Sequence, residues 1–217
     1  TDGGYAEYVA LPERNVIAIP DGVSDIDAAI GSDAIATPYH ACIKEAKLKP
    51  SDTVLVVGAA GGVGIHMIQM ASLCGARVLA ADLGQVKMDF IQTIGADLLI
   101  DAAKGAIAEQ VMTATNGIGV DAVIDIVGSK NSLEESLASL AVGGRLVIVG
   151  SSPAGVYQKD PSFLVDPQRL LQQGLEIHAA RYVTLAEIGR TLELIRDKKI
   201  PQRDTVRNKA MKINPKT

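Results

Sequence analysis

Glycines stand at positions 58, 61, 62 and 64 in the stretch Val56-Val57-Gly58-Ala59-Ala60-Gly61-Gly62-Val63-Gly64. An apolar run precedes this stretch and a helical pattern follows it. That spacing suits the cradling of phosphate. A phosphate needs close backbone approach and free N–H donors, and glycines at a helix start supply both, with the positive end of the helix dipole behind them. Gly58 then makes the tight turn, Gly61 and Gly62 admit the phosphates, Val63 opens the helix, and Gly64 lets helix lie on strand. Ordinary turns also collect glycine, so the strand before the loop and the helix after it carry the weight.

Asp82 ends the next apolar run. A carboxylate about 20 residues beyond such a loop accepts hydrogen bonds from adenosine ribose hydroxyls. It also repels a 2′-phosphate, and Leu83 and Gly84 follow it with no adjoining Arg, so the pattern favours NAD over NADP. The other reading of Asp82 alone is a turn residue at a strand end. A nucleoside-binding methyltransferase would want the same acid but not the segment Gly61-Gly62-Val63-Gly64. Two more loops, Val127-Gly128-Ser129 and Gly150-Ser151-Ser152, follow predicted strands, where ligands bind in this architecture. Plain strand-to-helix turns would look the same.

The elements that must position these residues alternate. Strands are predicted at Thr53–Val57, Arg77–Ala81, Asp97–Ile100, Ala122–Ile126, Arg145–Val149 and Leu175–Ala180. Helices are predicted at Val63–Cys74 and Gln85–Ile94, closed by Gly75 and Gly95, then at Gly105–Thr115, Asn131–Leu140 (ending near Gly143-Gly144) and Leu185–Arg196. Short apolar strands joined by helices imply right-handed crossovers and a parallel sheet. The expected fold is α/β, a Rossmann-type doubly wound sheet of order 3-2-1-4-5-6. Upstream, Gly3–Pro20 alternates like strands torn from another sheet, Ser24 caps a short helix, and a longer helix is predicted from Ala34 to Lys47. The chain thus divides into 1–33, a domain remnant; 34–197, the nucleotide domain; and 198–217, a polar tail.

Composition agrees. Of the 217 residues 47% are apolar and 3% aromatic, with no Trp, so the core is aliphatic, as suits a sheet covered on both faces. A net charge of −4 argues against nucleic acid or an acidic membrane surface as partner. No apolar run reaches the roughly 18 residues of a membrane span, and no signal peptide is evident. Cys42 and Cys74 lie in predicted helices without CxxC spacing and read as buried thiols, which fits a reducing, cytoplasmic setting. His40, His66 and His178 are scattered and read as packed or solvated imidazoles.

Several segments together resemble the zinc-type medium-chain alcohol dehydrogenases. Gly3-Gly4-Tyr5-Ala6-Glu7-Tyr8 is similar to that family's strand leaving its catalytic domain, and Asp33-Ala34-Ile35-Ala36-Thr37-Pro38-Tyr39-His40 to its helix before the cofactor domain. The Gly58–Gly64 loop, Asp82 with Lys87, and Gly143 to Gly150 complete the match, which runs from Gly3 to Arg196. The resemblance implies that Asp33 is a ligand of a catalytic zinc, although read alone it is a helix-start acid. It implies that Thr37 lies near the nicotinamide, that Lys87 reaches the adenosine ribose, and that Val127, Val149, Gly150 and Ser151 line the nicotinamide side. It further implies hydride transfer between an alcohol or carbonyl and NAD(H), and a homo-oligomer, dimer or tetramer.

The family's catalytic domain, with its Cys, His and Glu around zinc and its four-cysteine lobe, has no counterpart before Gly3, and Asn208–Thr217 departs from the family's C-terminal segment. The expectation is therefore a cofactor domain that binds NAD and is inactive alone, zinc belonging to a full-length parent. Two alternatives stay open: a zinc-free quinone or enoyl reductase of the same superfamily, and a non-catalytic nucleotide-binding module.

Overall fold

The computed structural model describes residue 4, residues 6–151 and residues 162–200. Six strands form one parallel sheet: β1 Thr53–Val57, β2 Arg77–Asp82, β3 Leu98–Asp101, β4 Val120–Asp125, β5 Leu140–Ile148 and β6 Glu176–Ala179. Their order is β3-β2-β1-β4-β5-β6, as the alternation predicts. The two halves therefore diverge between β1 and β4, and a crevice at the C-terminal ends of these strands is where this topology binds ligands.

β1 explains the two-faced core. Val54 and Val56 face one side, with α3 (Gly62–Leu73), α4 (Gln85–Gln92) and α8 (Leu185–Arg196). Leu55 and Val57 face the other, with α5 (Ile107–Ala114) and α6 (Lys130–Ala138). Alternate side chains of a strand point to opposite faces, and a strand covered on both reads as an unbroken apolar run. α8 begins in a capping box between Thr184 and Glu187, and Leu192 and Ile195 are buried.

Ser24 caps α1 (Asp25–Ile30), its hydroxyl oxygen accepting from Asp27 N–H. The chain then stays helical to Glu45, through a wide π-type turn at Gly31–Ile35, α2 at Ala36–Tyr39, and a second π-type stretch at His40–Glu45. Pro38, in the middle of this run, has no N–H to offer the ladder. The expected division at residues 33–34 thus falls in mid-helix. Gly31 sits where α8 crosses, and a Cβ there would lie 2.8 Å from Ile195 Cδ1.

Other expectations change. Among the described residues Gly4–Pro20 holds no strand, only a 3₁₀ turn at Glu13–Asn15. Tyr8, Val9, Leu11, Val16, Ile17 and Ile19 stay exposed, Tyr8 at 92%. Alternation makes a strand only where an edge is present to pair with. The fifth strand begins at Leu140 rather than Arg145, and the helix before it stops at Ala138. Leu140 pairs with Val120, and a register shift follows. The Gly143-Gly144 pair is thus a bend within a strand, not a helix stop, and Gly143 takes a φ of 75°. A further helix, α7 (Pro167–Gln173), is capped by Asp166. Ile200 is buried against the first core cluster, whereas position 198 onward reads as a polar tail in the sequence. Residues 201–217, Ser152, Gly3 and Tyr5 lie outside the described residues.

Candidate functional site

The loop leaving β1 is built by its glycines. Gly58 adopts a φ of 83°, a region open to glycine. The N–H groups of Gly58 and Ala59 both donate to Ala81 C=O, at 3.0 and 3.1 Å, which ties the loop to the end of β2. Gly61 is the residue before α3 and has no side chain with which to cap it. The first helical bond past the cap runs from Ile65 N–H to Gly61 C=O, 3.0 Å. The amides of Gly62, Val63 and Gly64 therefore stand ahead of the ladder as donors for an anion. A Cβ on Gly62 would meet nothing within 4 Å, so the approach is open. A Cβ on Gly64 would overlap the Gly58 carbonyl oxygen and lie 2.6 Å from that of Ala59. Only glycine lets α3 start this close to the loop.

Asp82 closes the other side. Its Oδ2 accepts from Ala60 N–H at 2.7 Å and its Oδ1 from Leu83 N–H at 2.7 Å. Lys87 Nζ lies 3.8 Å from Oδ1, with the Lys87 side chain 63% exposed. The carboxylate thus clasps the glycine loop, a role that sequence reasoning misses because Ala60 carries no signal. Each carboxylate oxygen keeps further acceptor capacity. Gly58, Gly61, Gly62, Val63, Gly64, Asp82 and Lys87 are brought together at the adjoining C-terminal ends of β1 and β2.

The second half of the crevice is equally tight. Ile126 N–H donates to Val57 C=O at 3.0 Å, joining β4 to β1. Gly128 has a φ of 63°, and a Cβ there would overlap the Gly150 carbonyl. A Cβ on Gly150 would in turn overlap the carbonyl of Ile126. Val127 is partly exposed, and its Cγ2 stands 3.0 Å from where a Gly58 side chain would begin. Val149 packs half-buried on the core and Ser151 is exposed.

Asp33 and Thr37 lie on the helical run that packs against α3, and Thr37 Oγ1 donates to Asp33 Oδ1 at 2.9 Å. No hydrogen bond among the described residues joins them to the glycine loop. Asp33 is exposed, and no group of three or more His, Cys, Asp or Glu that could hold a metal occurs among the described residues. The donor set among the described residues does not fit a complete zinc centre.

The histidines are engaged elsewhere. His40 bridges Glu187 (Nδ1 to Oε1, 2.8 Å) and Glu45 (Nε2 to Oε1, 3.3 Å), and His178 bridges Glu45 and Glu176. The hydrogen bond from His178 holds the Glu176 carboxyl below its ordinary range. His66 contacts Gln69 at 3.0 Å, and burial keeps its imidazole below the usual value. Cys42 and Cys74 are free thiols, pushed upward by burial.

A glycine loop at a helix start, an acid closing β2 and a switch point between β1 and β4 define a Rossmann-type dinucleotide-binding unit. The family model described as "Zinc-binding dehydrogenase" matches residues 62–197, and the chain belongs to that family. It is 30% identical over 197 residues to an NAD-dependent alcohol dehydrogenase of Sulfurisphaera tokodaii, covering 89% of this chain and 56% of that protein. Among solved structures it resembles the alcohol dehydrogenase of Aeropyrum pernix, with a TM-score of 0.80, 27% identity, and coverage of 99% of this chain and 62% of that one. A structure described as a zinc-binding dehydrogenase of Sinorhizobium meliloti, bound to NADP, gives a TM-score of 0.81 at 25% identity, covering 93% and 57%. The chain spans about half the length of the curated relatives it matches.

Proposed function

We propose that this chain is the NAD(H)-binding unit of an alcohol dehydrogenase-like oxidoreductase that moves hydride between a small alcohol or carbonyl compound and the cofactor. The observation that carries the reading is the Asp82 carboxylate, 2.7 Å from Ala60 N–H, beside the amides that open α3. NAD(H), when bound, supplies the hydride acceptor or donor at nicotinamide C4. The chain's own groups bind and orient. The amides of Gly62, Val63 and Gly64 take the pyrophosphate, Asp82 takes the adenosine ribose hydroxyls, and Lys87 stands beside that sugar. Val127, Val149, Gly150, Ser151 and Thr37 face the nicotinamide half. The Asp82 charge opposes a 2′-phosphate, which supports NAD over NADP.

Asp33 is offered as a ligand to zinc in the whole protein. One carboxylate does not hold the metal, so the chain on its own is expected to bind cofactor without oxidising alcohols. The sheet edge at β6, where Ile177 is 38% exposed, supports pairing into a homo-oligomer, and the free thiols support a cytoplasmic setting.

Calorimetry with NADH and NADPH tests the reading. Saturable NADH binding, at least about tenfold tighter than NADPH, is expected, because a 2′-phosphate removes one hydrogen bond to the Asp82 carboxylate and adds a repulsion. No NADH heat, or a preference for NADPH, contradicts it, and the latter points to the zinc-free reductase alternative.

A further inference from the structure

We infer that Asp125 is a positioning residue, which holds the turn that receives the nicotinamide half of the cofactor. This rests on the nucleotide-binding reading above. Asp125 ends β4 and is fully buried. Its Oδ1 accepts from Val127 N–H at 2.8 Å and from Gly128 N–H at 2.9 Å. Its Oδ2 accepts from Ser136 Oγ on α6, 3.0 Å. Its backbone carbonyl accepts from Val149 and Gly150 N–H, at 2.9 and 3.2 Å. One residue therefore ties together the turn after β4, the turn after β5, and α6.

A buried carboxylate carries a large desolvation cost unless it is paired or richly hydrogen-bonded. No cation pairs with Asp125 among the described residues; two amides and a hydroxyl satisfy it instead. What this clasp holds has little freedom. Neither Gly128 nor Gly150 has room for a side chain, because each would strike backbone. The clasp thus sets how far Val127 stands forward over Gly58. The fold consists of two mononucleotide-binding halves. Asp82 and the glycine loop belong to the β1–β3 half, so the turn after β4 falls to the nicotinamide half. The bonds of Asp125 touch none of Gly61, Gly62, Val63, Gly64 or Asp82. Its removal is therefore felt by one half of the ligand only.

The substitution Asp125→Asn would keep the clasp, since an amide oxygen accepts from both N–H groups and the amide NH₂ donates to Ser136 Oγ. Asp125→Ala would not. Calorimetry on this chain with NADH and with ADP-ribose, which lacks the nicotinamide, separates the cases. For Asp125→Ala, NADH binding is expected to weaken about tenfold while ADP-ribose stays within about twofold, and Asp125→Asn is expected to restore NADH to within about threefold. Equal weakening of both ligands, as a purely structural role would give, overturns the inference, as does no weakening of either. If Asp125→Ala does not fold, Ser136→Ala serves: NADH is expected to weaken about threefold with ADP-ribose unchanged, and any other pattern counts against the inference. Should the unaltered chain bind neither ligand, the nucleotide-binding reading itself has failed.

Discussion

Gly64→Ala is expected to abolish measurable NADH binding and to destabilise the fold. The added Cβ would overlap the carbonyl oxygen of Gly58 and press on that of Ala59. Both obstacles are backbone, so neither can swing aside. Overpacking a tight site costs roughly 1–3 kcal/mol even where side chains can give way, and this site has none that can. The start of α3 must therefore lift from the loop, taking with it the amides of Gly62, Val63 and residue 64. Each charge-assisted hydrogen bond to the pyrophosphate contributes roughly 1.5–3 kcal/mol, so spoiling two of them weakens binding by about 100-fold or more. Gly62→Ala is the control for stability, because its Cβ would meet nothing within 4 Å. It should melt close to the unaltered chain. A Gly64→Ala chain with unchanged melting temperature and unchanged NADH affinity would show that helix and loop are not in this contact.

Asp82→Ala has the second largest expected effect, because the carboxylate does two jobs. It accepts from Ala60 N–H and Leu83 N–H, and it is the acceptor offered to the ribose. Removing it leaves the loop amide without its clasp and the sugar without its partner. NADH affinity is expected to fall about 10- to 100-fold, on the scale of one hydrogen bond to a charged group. NADPH affinity should fall less, since the repulsion of the 2′-phosphate disappears with the charge, and the preference for NADH should narrow or vanish. Calorimetry with both cofactors reads this directly. If NADH affinity holds while the melting temperature drops, Asp82 is a turn clasp and nothing more.

These residues are unequally legible. β1 appears in the sequence at its observed bounds, Thr53–Val57, because a short run rich in β-branched residues lies between Pro50 and a glycine loop. α8 is legible at its observed bounds, Leu185–Arg196, for a different reason: Leu185, Ile188, Leu192 and Ile195 fall on one helix face. Where the sequence misleads, the cause is tertiary. Gly143 and Gly144 carry the signature of a helix stop, and only pairing with β4 turns them into a bend inside β5. The alternation of Tyr8, Val9 and Leu11 describes a strand, yet no edge among the described residues pairs with it. Asp25–Glu45 is one continuous helical run where the sequence suggests a short helix after Ser24 and a separate one from Ala34 to Lys47, because a π-type turn at Gly31–Ile35 carries the chain across the gap.

In the site itself, the glycine spacing and Asp82 can be picked out because phosphate and ribose contacts demand residue types. Their partners cannot. Ala60 contributes only a backbone N–H, and Asp125 sits inside an apolar strand pattern where an acid reads as a strand-end residue. Asp33 and Thr37 are found only by resemblance, and the structure joins them to each other rather than to the glycine loop.

Pyrophosphate is expected to lie on the amides that open α3. Titrating the isotope-labelled chain with NADH and following its amide resonances by NMR tests it most directly. The largest shifts are expected on Gly62, Val63 and Gly64, with Ala60 and Leu83 moving as Asp82 engages the ribose. Saturable NADH binding that leaves those five amides unmoved, with the shifts gathered elsewhere on the chain, would contradict it.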